Sequence, residues 1–154
     1  MLELRAVRLG DRELLFNIFQ KMLYEMTQFY ADEMDERGNY HYGHFDEYFT
    51  DPRRIAYFIY NEDVLVGFVL LHPYSYFDAC DVNVGEFTVF PRFRKQGFGL
   101  EAMEQVFARH TGIYEIKYHR DNQNAVSFWH KVTSKYHPSI RRYSDEEEVL
   151  CFKV

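Results

Sequence analysis

One stretch of the chain joins clustered cations to two closely spaced glycines: Glu86-Phe-Thr-Val-Phe-Pro-Arg-Phe-Arg-Lys-Gln-Gly-Phe-Gly99. A strand pattern runs into a basic turn, and the turn into a helix with glycines at its start. Unpaired N–H groups at a helix N-terminus attract anions. Gly97 and Gly99 lack Cβ, so a phosphate can approach the backbone. Arg92, Arg94 and Lys95 add positive charge to a chain whose net charge is −6. The plain alternative is a helix N-terminus behind a solvated basic turn. A Walker loop is excluded, because it needs Gly-Lys-Ser/Thr and Gly99 is followed by Leu100. Gly97, Gly99 and Ala102 formally match a dinucleotide fingerprint, with Asp121 as the distant acid. Against it, Pro91 to Gln96 separate the strand from Gly97, and only 55 residues follow Gly99, too few for a doubly wound sheet.

The surrounding pattern indicates which elements position this loop. Leu2, Leu4 and Ala6 alternate as a strand, and Asp11 offers an N-cap. Leu15, Ile18, Phe19, Met22, Met26 and Phe29 recur at helical spacing over about Arg12 to Tyr30, with Met22 and Met26 as core. Residues 31–44 are polar and turn-rich, and 45–49 suit a short helix. Ile55 to Tyr60 and Val64 to Leu71 read as a hairpin around Asn61-Glu62-Asp63. Val82 to Phe90 is a strand, Gly97 to His110 a helix and Ile113 to Tyr118 a strand. Asn122 opens a helix with Ala125, Phe128, Trp129 and Val132 on one face. Strands over Lys135 to Tyr143 and Val149 to Phe152 complete an α/β domain with a mixed sheet.

Two segments carry a family resemblance. Arg94-Lys95-Gln96-Gly97-Phe98-Gly99, after Val89-Phe90-Pro91, matches Q/R-x-x-G-x-G/A, and Asn122-x-x-Ala125-x-x-Phe128-Trp129-x-Lys131 is similar to N-x-x-A-x-x-F-Y-x-K. With their order and spacing, they resemble the GNAT family of acyl-CoA-dependent N-acyltransferases. The resemblance spans residues 1–154, and the acidic loop and Phe-Trp pair are similar to a bacterial branch of predicted acetyltransferases. It implies a single-domain GNAT-like fold, with a mixed, mostly antiparallel sheet of about seven strands flanked by helices. It also implies an N-acetyltransferase using acetyl-CoA as co-substrate, without a metal, and transferring acetyl directly to a primary amine in a ternary complex.

By the same resemblance, the backbone of Phe87, Thr88 and Val89 would bond pantetheine. The N–H groups of Arg94, Lys95, Gln96, Gly97, Phe98, Gly99 and Leu100 would hold the pyrophosphate. Asn122 would bond the pantetheine arm, and Phe128 and Trp129 would flank it. The reaction needs a base for the amine proton, a donor to the oxyanion and an acid for the leaving thiolate. Glu86 is the candidate base, since partial burial between Gly85 and Phe87 would raise its pKa; a carboxylate in water or in a salt bridge is the alternative. Trp129 stands where relatives use an acidic Tyr, and indole cannot release its proton, so Tyr136 or water is expected there. The departure from Tyr also suggests a rival: a catalytically silent GNAT-fold protein that binds CoA and regulates or bridges. A non-enzymatic interaction module without CoA affinity is a second rival.

Composition sets outer limits. Negative net charge disfavours nucleic acid as a partner, no apolar run suits a membrane span, and the N-terminus does not read as a signal peptide. Cys80 and Cys151 form no metal or disulfide pattern, so the chain reads as cytoplasmic. His41 and His44 read as surface residues. Asp32, Glu33, Asp35 and Glu36 either attract a cationic amine or are simply solvated. Tyr40, Tyr42, Phe45, Tyr48 and Phe49 form either core or the wall of an acceptor pocket. The acceptor is expected to be a small molecule, because that loop is short and aromatic. Tyr74, Tyr76 and Phe77 either serve a homodimer interface or cover the sheet.

Overall fold

The computed structural model describes residues 1–154. Apolar alternation turns Leu2 and Leu4 of strand β1 (Leu2–Ala6) inward. Helix α1 (Arg12–Met26) buries Leu15, Ile18, Phe19 and Met22, the stripe expected from their spacing. Asp11 stands at its N-cap, yet the carboxylate accepts from the Arg8 N–H at 2.9 Å instead of from the helix. The helix ends at Met26, four residues short of the expected end. The Thr27 hydroxyl donates to the Tyr24 carbonyl at 2.6 Å and the chain turns away. Phe29 and Tyr30 are thereby freed to pack on His119, with ring centroids 5.6 and 5.1 Å apart. A 3-10 turn at Asp46–Phe49 precedes the hairpin of β2 (Ile55–Asn61) and β3 (Val64–His72).

Strand β4 (Val82–Val89) leads through a 3-10 turn at Pro91–Phe93 into α2 (Phe98–Arg109). Then come β5 (Ile113–His119), α3 (Gln123–Thr133), β6 (Ser139–Arg142) and β7 (Glu147–Lys153). The strand expected over Lys135 to Tyr143 is shorter, because Ser134–Tyr136 forms a 3-10 turn and His137 adopts φ 50° before Pro138. The seven strands lie in the order β1-β2-β3-β4-β5-β7-β6, antiparallel except for the β4–β5 pair. One core lies under α2 and α3, built on Met103, Val106, Phe107, Tyr114, Ile116 and Leu150. The other, under α1, holds Leu15, Phe19, Phe45, Phe58, Phe68 and Leu70.

The sheet is divided at its middle. β4 and β5 pair only through Val82↔Tyr114 and Asn83↔Glu115, whereas β5 pairs with β7 along its whole length. Beyond Asn83 the two strands part. The register against β3 also shifts here: Leu70 faces Glu86 and Leu71 faces Val84, so Gly85 is an extra, bulged residue. The bulge and the parting together leave the second half of β4 with a free edge.

Candidate active site

The loop after β4 is built as the sequence indicates, with one change of reason. Among the N–H groups from Arg94 to Leu100, only that of Arg94 has an acceptor in the chain, the Pro91 carbonyl at 3.3 Å; the next intrahelical bond is Glu101 N–H to Gly97 O. The N–H groups of Lys95, Gln96, Gly97, Phe98, Gly99 and Leu100 therefore form an unsatisfied row at the start of α2, an anion-binding arrangement. Gly97 is the N-cap at φ 87°, where an L side chain is strained. Gly99 is required for a different reason: a Cβ there would lie 2.7 Å from Phe128 Cε1. Its smallness admits the α3 ring, and only Gly97 serves the loop's backbone shape.

That ring belongs to an aromatic cluster at the opened edge of β4. Phe128 stacks on Phe87 at 5.2 Å and 11°, and Trp129 meets Phe87 edge-on at 5.3 Å. Trp129 is buried in the α2–α3 core. Asn122 caps α3 by accepting from Ala125 N–H at 3.2 Å, so its Oδ1 is engaged and its amide nitrogen remains for a ligand. The Arg94 side chain does not join the anion site. It donates to the Val89 carbonyl at 2.7 Å and to both oxygens of Glu25 at 2.8 and 2.6 Å, tying the loop to the last turn of α1. Glu25 is a residue that sequence reasoning missed.

On the α1 side of β4 lies the second half of the site. Burial raises the Glu86 carboxyl to about 7; the Lys117 ammonium and the nearby Tyr42 hydroxyl counter part of that rise. The Glu86 charge also acts on the hydroxyls of Tyr30, Tyr42, Tyr48 and Tyr76, each pushed upward chiefly by burial and so kept neutral. Four tyrosines thus gather round one carboxylate. The Tyr48 hydroxyl is buried without a hydrogen-bond partner. Lys117 lies over the rings of Tyr76 and Tyr143, 4.6 and 4.9 Å from their centroids, and pairs with Glu147 at 3.3 Å. Tyr30 donates to the same Glu147 oxygen at 2.9 Å.

The aromatic segments divide accordingly. Tyr40 and Phe45 are core, with Tyr40 held at both backbone groups by Gln20, whereas Tyr42 and Tyr48 reach Glu86. Tyr76 and Phe77 pack on Tyr143. In the acidic loop, Asp35 accepts from the N–H groups of Arg37 and Asn39 and so shapes a turn. His44 pairs with Glu47 at 3.1 Å. Tyr136 stands apart from the tyrosines around Glu86: it stacks on Phe152 at 5.6 Å, meets Phe107 edge-on at 5.3 Å, and its hydroxyl makes no hydrogen bond within the chain. Lys117 and Glu147 were also missed. One available signal was the alternation of Glu115, Lys117 and His119 with Tyr114, Ile116 and Tyr118, a strand with a polar face that is not fully exposed.

A split sheet, a row of free N–H groups and a partly buried carboxylate thus meet on one strand. Residues 19–133 match the Acetyltransferase (GNAT) family, so the chain belongs to that family. No curated protein matches. Among solved structures, an acetyltransferase from Thermus thermophilus superposes with TM-score 0.73 at 15% identity, over 100% of this chain and 97% of that one. PaiA N-acetyltransferase from Thermoplasma acidophilum, in complex with coenzyme A, gives 0.66 at 13%, covering 100% and 99%. N-acetyltransferase PseH from Campylobacter jejuni, in complex with acetyl coenzyme A, gives 0.58 at 12%, covering 99% of each chain. The seven-strand mixed sheet with three helices is thus a GNAT fold. No helix is long and apolar enough to cross a membrane.

Proposed function

We propose that this protein is an acetyl-CoA-dependent N-acetyltransferase acting on a primary amine of a small molecule. The observation that carries the reading is β4 itself: it bears a partly buried carboxylate, raised toward 7, and runs directly into a row of six unpaired N–H groups. The residues fit the co-substrate. The N–H groups of Lys95 to Leu100 would hold its pyrophosphate, the free backbone edge of Phe87 to Val89 would bond pantetheine, and the Asn122 amide with Phe128 and Trp129 would flank the arm. Acetyl-CoA supplies the acyl group as a thioester, and the exchange is amine plus thioester giving amide plus thiol.

Glu86 takes the proton from the attacking nitrogen. Above its pKa it is ionised and can accept; below, it is already protonated. Thiol release therefore rises with pH through about 7. The neighbouring Tyr42 hydroxyl favours the ionised carboxylate. Trp129 and Tyr136 both lie in the aromatic core, so neither supplies the thiol proton in this reading, and water does. The buried Trp129 at the family's Tyr position also favours the second reading, a catalytically silent CoA-binding protein.

Thermal shift with acetyl-CoA, CoA and NADH is the first test. A ligand at about 100 times its Kd adds roughly 2.7 kcal/mol to the folded state. Stabilisation by acetyl-CoA but not NADH is expected; no shift with either CoA species overturns the assignment. Thiol release with an amine panel follows. Glu86→Gln should lower kcat by roughly 10² to 10⁴ and remove the pH limb near 7. Acetyl-CoA binding without release from any amine would leave the silent protein.

A further inference from the structure

Resting on the acyltransfer reading, we infer that the acceptor carries one amine on an uncharged aromatic or apolar body, and that Lys117 excludes diamines by occupying the place of a second ammonium. Apart from Glu86, the ionisable side chains around it already have partners inside the chain. Lys117 pairs with Glu147 at 3.3 Å. The buried Arg54 guanidinium pairs with Glu47 at 3.1 Å and lies over the Tyr48 ring. Glu115 accepts from the Ser75 hydroxyl at 2.8 Å and from the Tyr76 N–H at 2.7 Å. Arg94 is held by Glu25.

Glu86 is left without an ion pair or hydrogen bond inside the chain, and the tyrosines 30, 42, 48 and 76, all neutral, lie within reach of its charge. A carboxylate on the acceptor would find no unpaired cation, and a second ammonium only Glu115, which is buried and already holds two hydrogen bonds. Burying either unpaired is costly. A ring or an apolar chain suits the tyrosine walls.

Lys117 sharpens the point. Its ammonium sits where a ligand cation would sit in an aromatic cage: over two rings, Tyr76 and Tyr143, which lie 5.1 Å apart, and against a carboxylate that Tyr30 also holds. The chain has filled its own cation site. Removing that charge leaves Glu147 without its cation and open to the far ammonium of a polyamine. The reaction is unchanged: the N–C bond forms as the C–S bond breaks, the nitrogen proton passes to Glu86, and sulfur gains one from water.

The test compares thiol release from 2-phenylethylamine, phenylalanine and spermidine, in the wild type and in Lys117→Met. The first two acceptors differ only by a carboxylate. In the wild type, kcat/KM for 2-phenylethylamine should exceed both others by about tenfold or more. In Lys117→Met the ratio of spermidine to 2-phenylethylamine should rise by about tenfold, with the acetyl-CoA thermal shift retained as proof of folding. Spermidine or phenylalanine preferred by the wild type, or a ratio unmoved in a folded Lys117→Met, overturns the inference and leaves the acyltransfer reading intact. Release from none of the three overturns the inference, and the acyltransfer reading then stands or falls with the acetyl-CoA thermal shift and the wider amine panel.

Discussion

Strand β4 serves two sites of opposite construction. Past its C-terminal end, the loop from Pro91 to Leu100 is one contiguous piece of backbone, and its chemistry is a row of N–H groups set by a few dihedral angles. Under α1, the recess around Glu86 is assembled from side chains of distant segments: Tyr30, Tyr42, Tyr48, Tyr76, Lys117 and Glu147. The loop offers dipoles that its own helix leaves over, so it costs the fold little. The recess keeps a carboxylate out of water, which does cost stability. The backbone half can hold a pyrophosphate whatever the acceptor is, while the side-chain half decides the acceptor.

The largest effect expected from this contrast is on stability. Burial raises the folded-state carboxyl of Glu86 from 4.5 to about 7. Below pH 4.5 the folded and unfolded chains are both protonated and there is no penalty. As pH rises to about 7 the unfolded chain ionises first, so the folded state loses stability on the order of 3 kcal/mol, and the loss persists above. Glu86→Gln should therefore be more stable than wild type at about pH 8 by up to about that amount, and equal to it at about pH 4. Denaturant titrations at the two pH values check this; equal stability at the higher pH would mean the carboxylate is well solvated. Next comes the loop. Gly97→Ala places a Cβ at φ 87° with no neighbour to clash, so only backbone strain acts, about 1–2 kcal/mol. KM for acetyl-CoA should rise roughly tenfold while the pH limb near 7 stays, because the recess is untouched.

The two sites were unequally legible in the sequence for the same physical reason. Gly97, the basic turn and the Asn122 cap are local signals, and the structure places them as expected. The order of elements along the chain also followed from local patterns, because hairpin turns and helix stripes need only neighbouring residues. The recess depends on which strands stand side by side and where they part. Glu86 could be proposed from its position, but Lys117 and Glu147 meet only because β5 pairs with β7, with Lys117 facing Val149 and His119 facing Glu147. Tyr30 was hidden by a helical period that continues past the real end of α1 at Met26. Gly99 was legible as a necessary glycine but for another reason, since its neighbour is a ring from α3.

The Glu25–Arg94 pair joins the two halves, and a smaller effect is expected there. Glu25→Gln keeps the Arg94 bond to the Val89 carbonyl but weakens a partly exposed, two-pronged ion pair, which is worth about 0.5–1 kcal/mol. KM for acetyl-CoA should rise about two- to fivefold with kcat and its pH limb unchanged. A change in the pH limb instead would mean that α1 transmits the loss to Glu86.

The smallest expected effect belongs to Tyr136. Its ring is packed on Phe107 and Phe152 and its hydroxyl has no partner in the chain, so Tyr136→Phe keeps the packing and removes only a hydroxyl that nothing in the fold uses. Thiol release should stay within about twofold of wild type, since neither a hydrogen bond nor a proton donor has been lost. Tyr136→Ala should instead cost about 3 kcal/mol of stability or more, as truncating a packed aromatic ring does. If Tyr136→Phe lowers kcat by about tenfold or more with its melting temperature unchanged, the hydroxyl is the donor to the leaving sulfur. The division between a catalytic α1 face and a packed α2–α3 face would then fail at that residue.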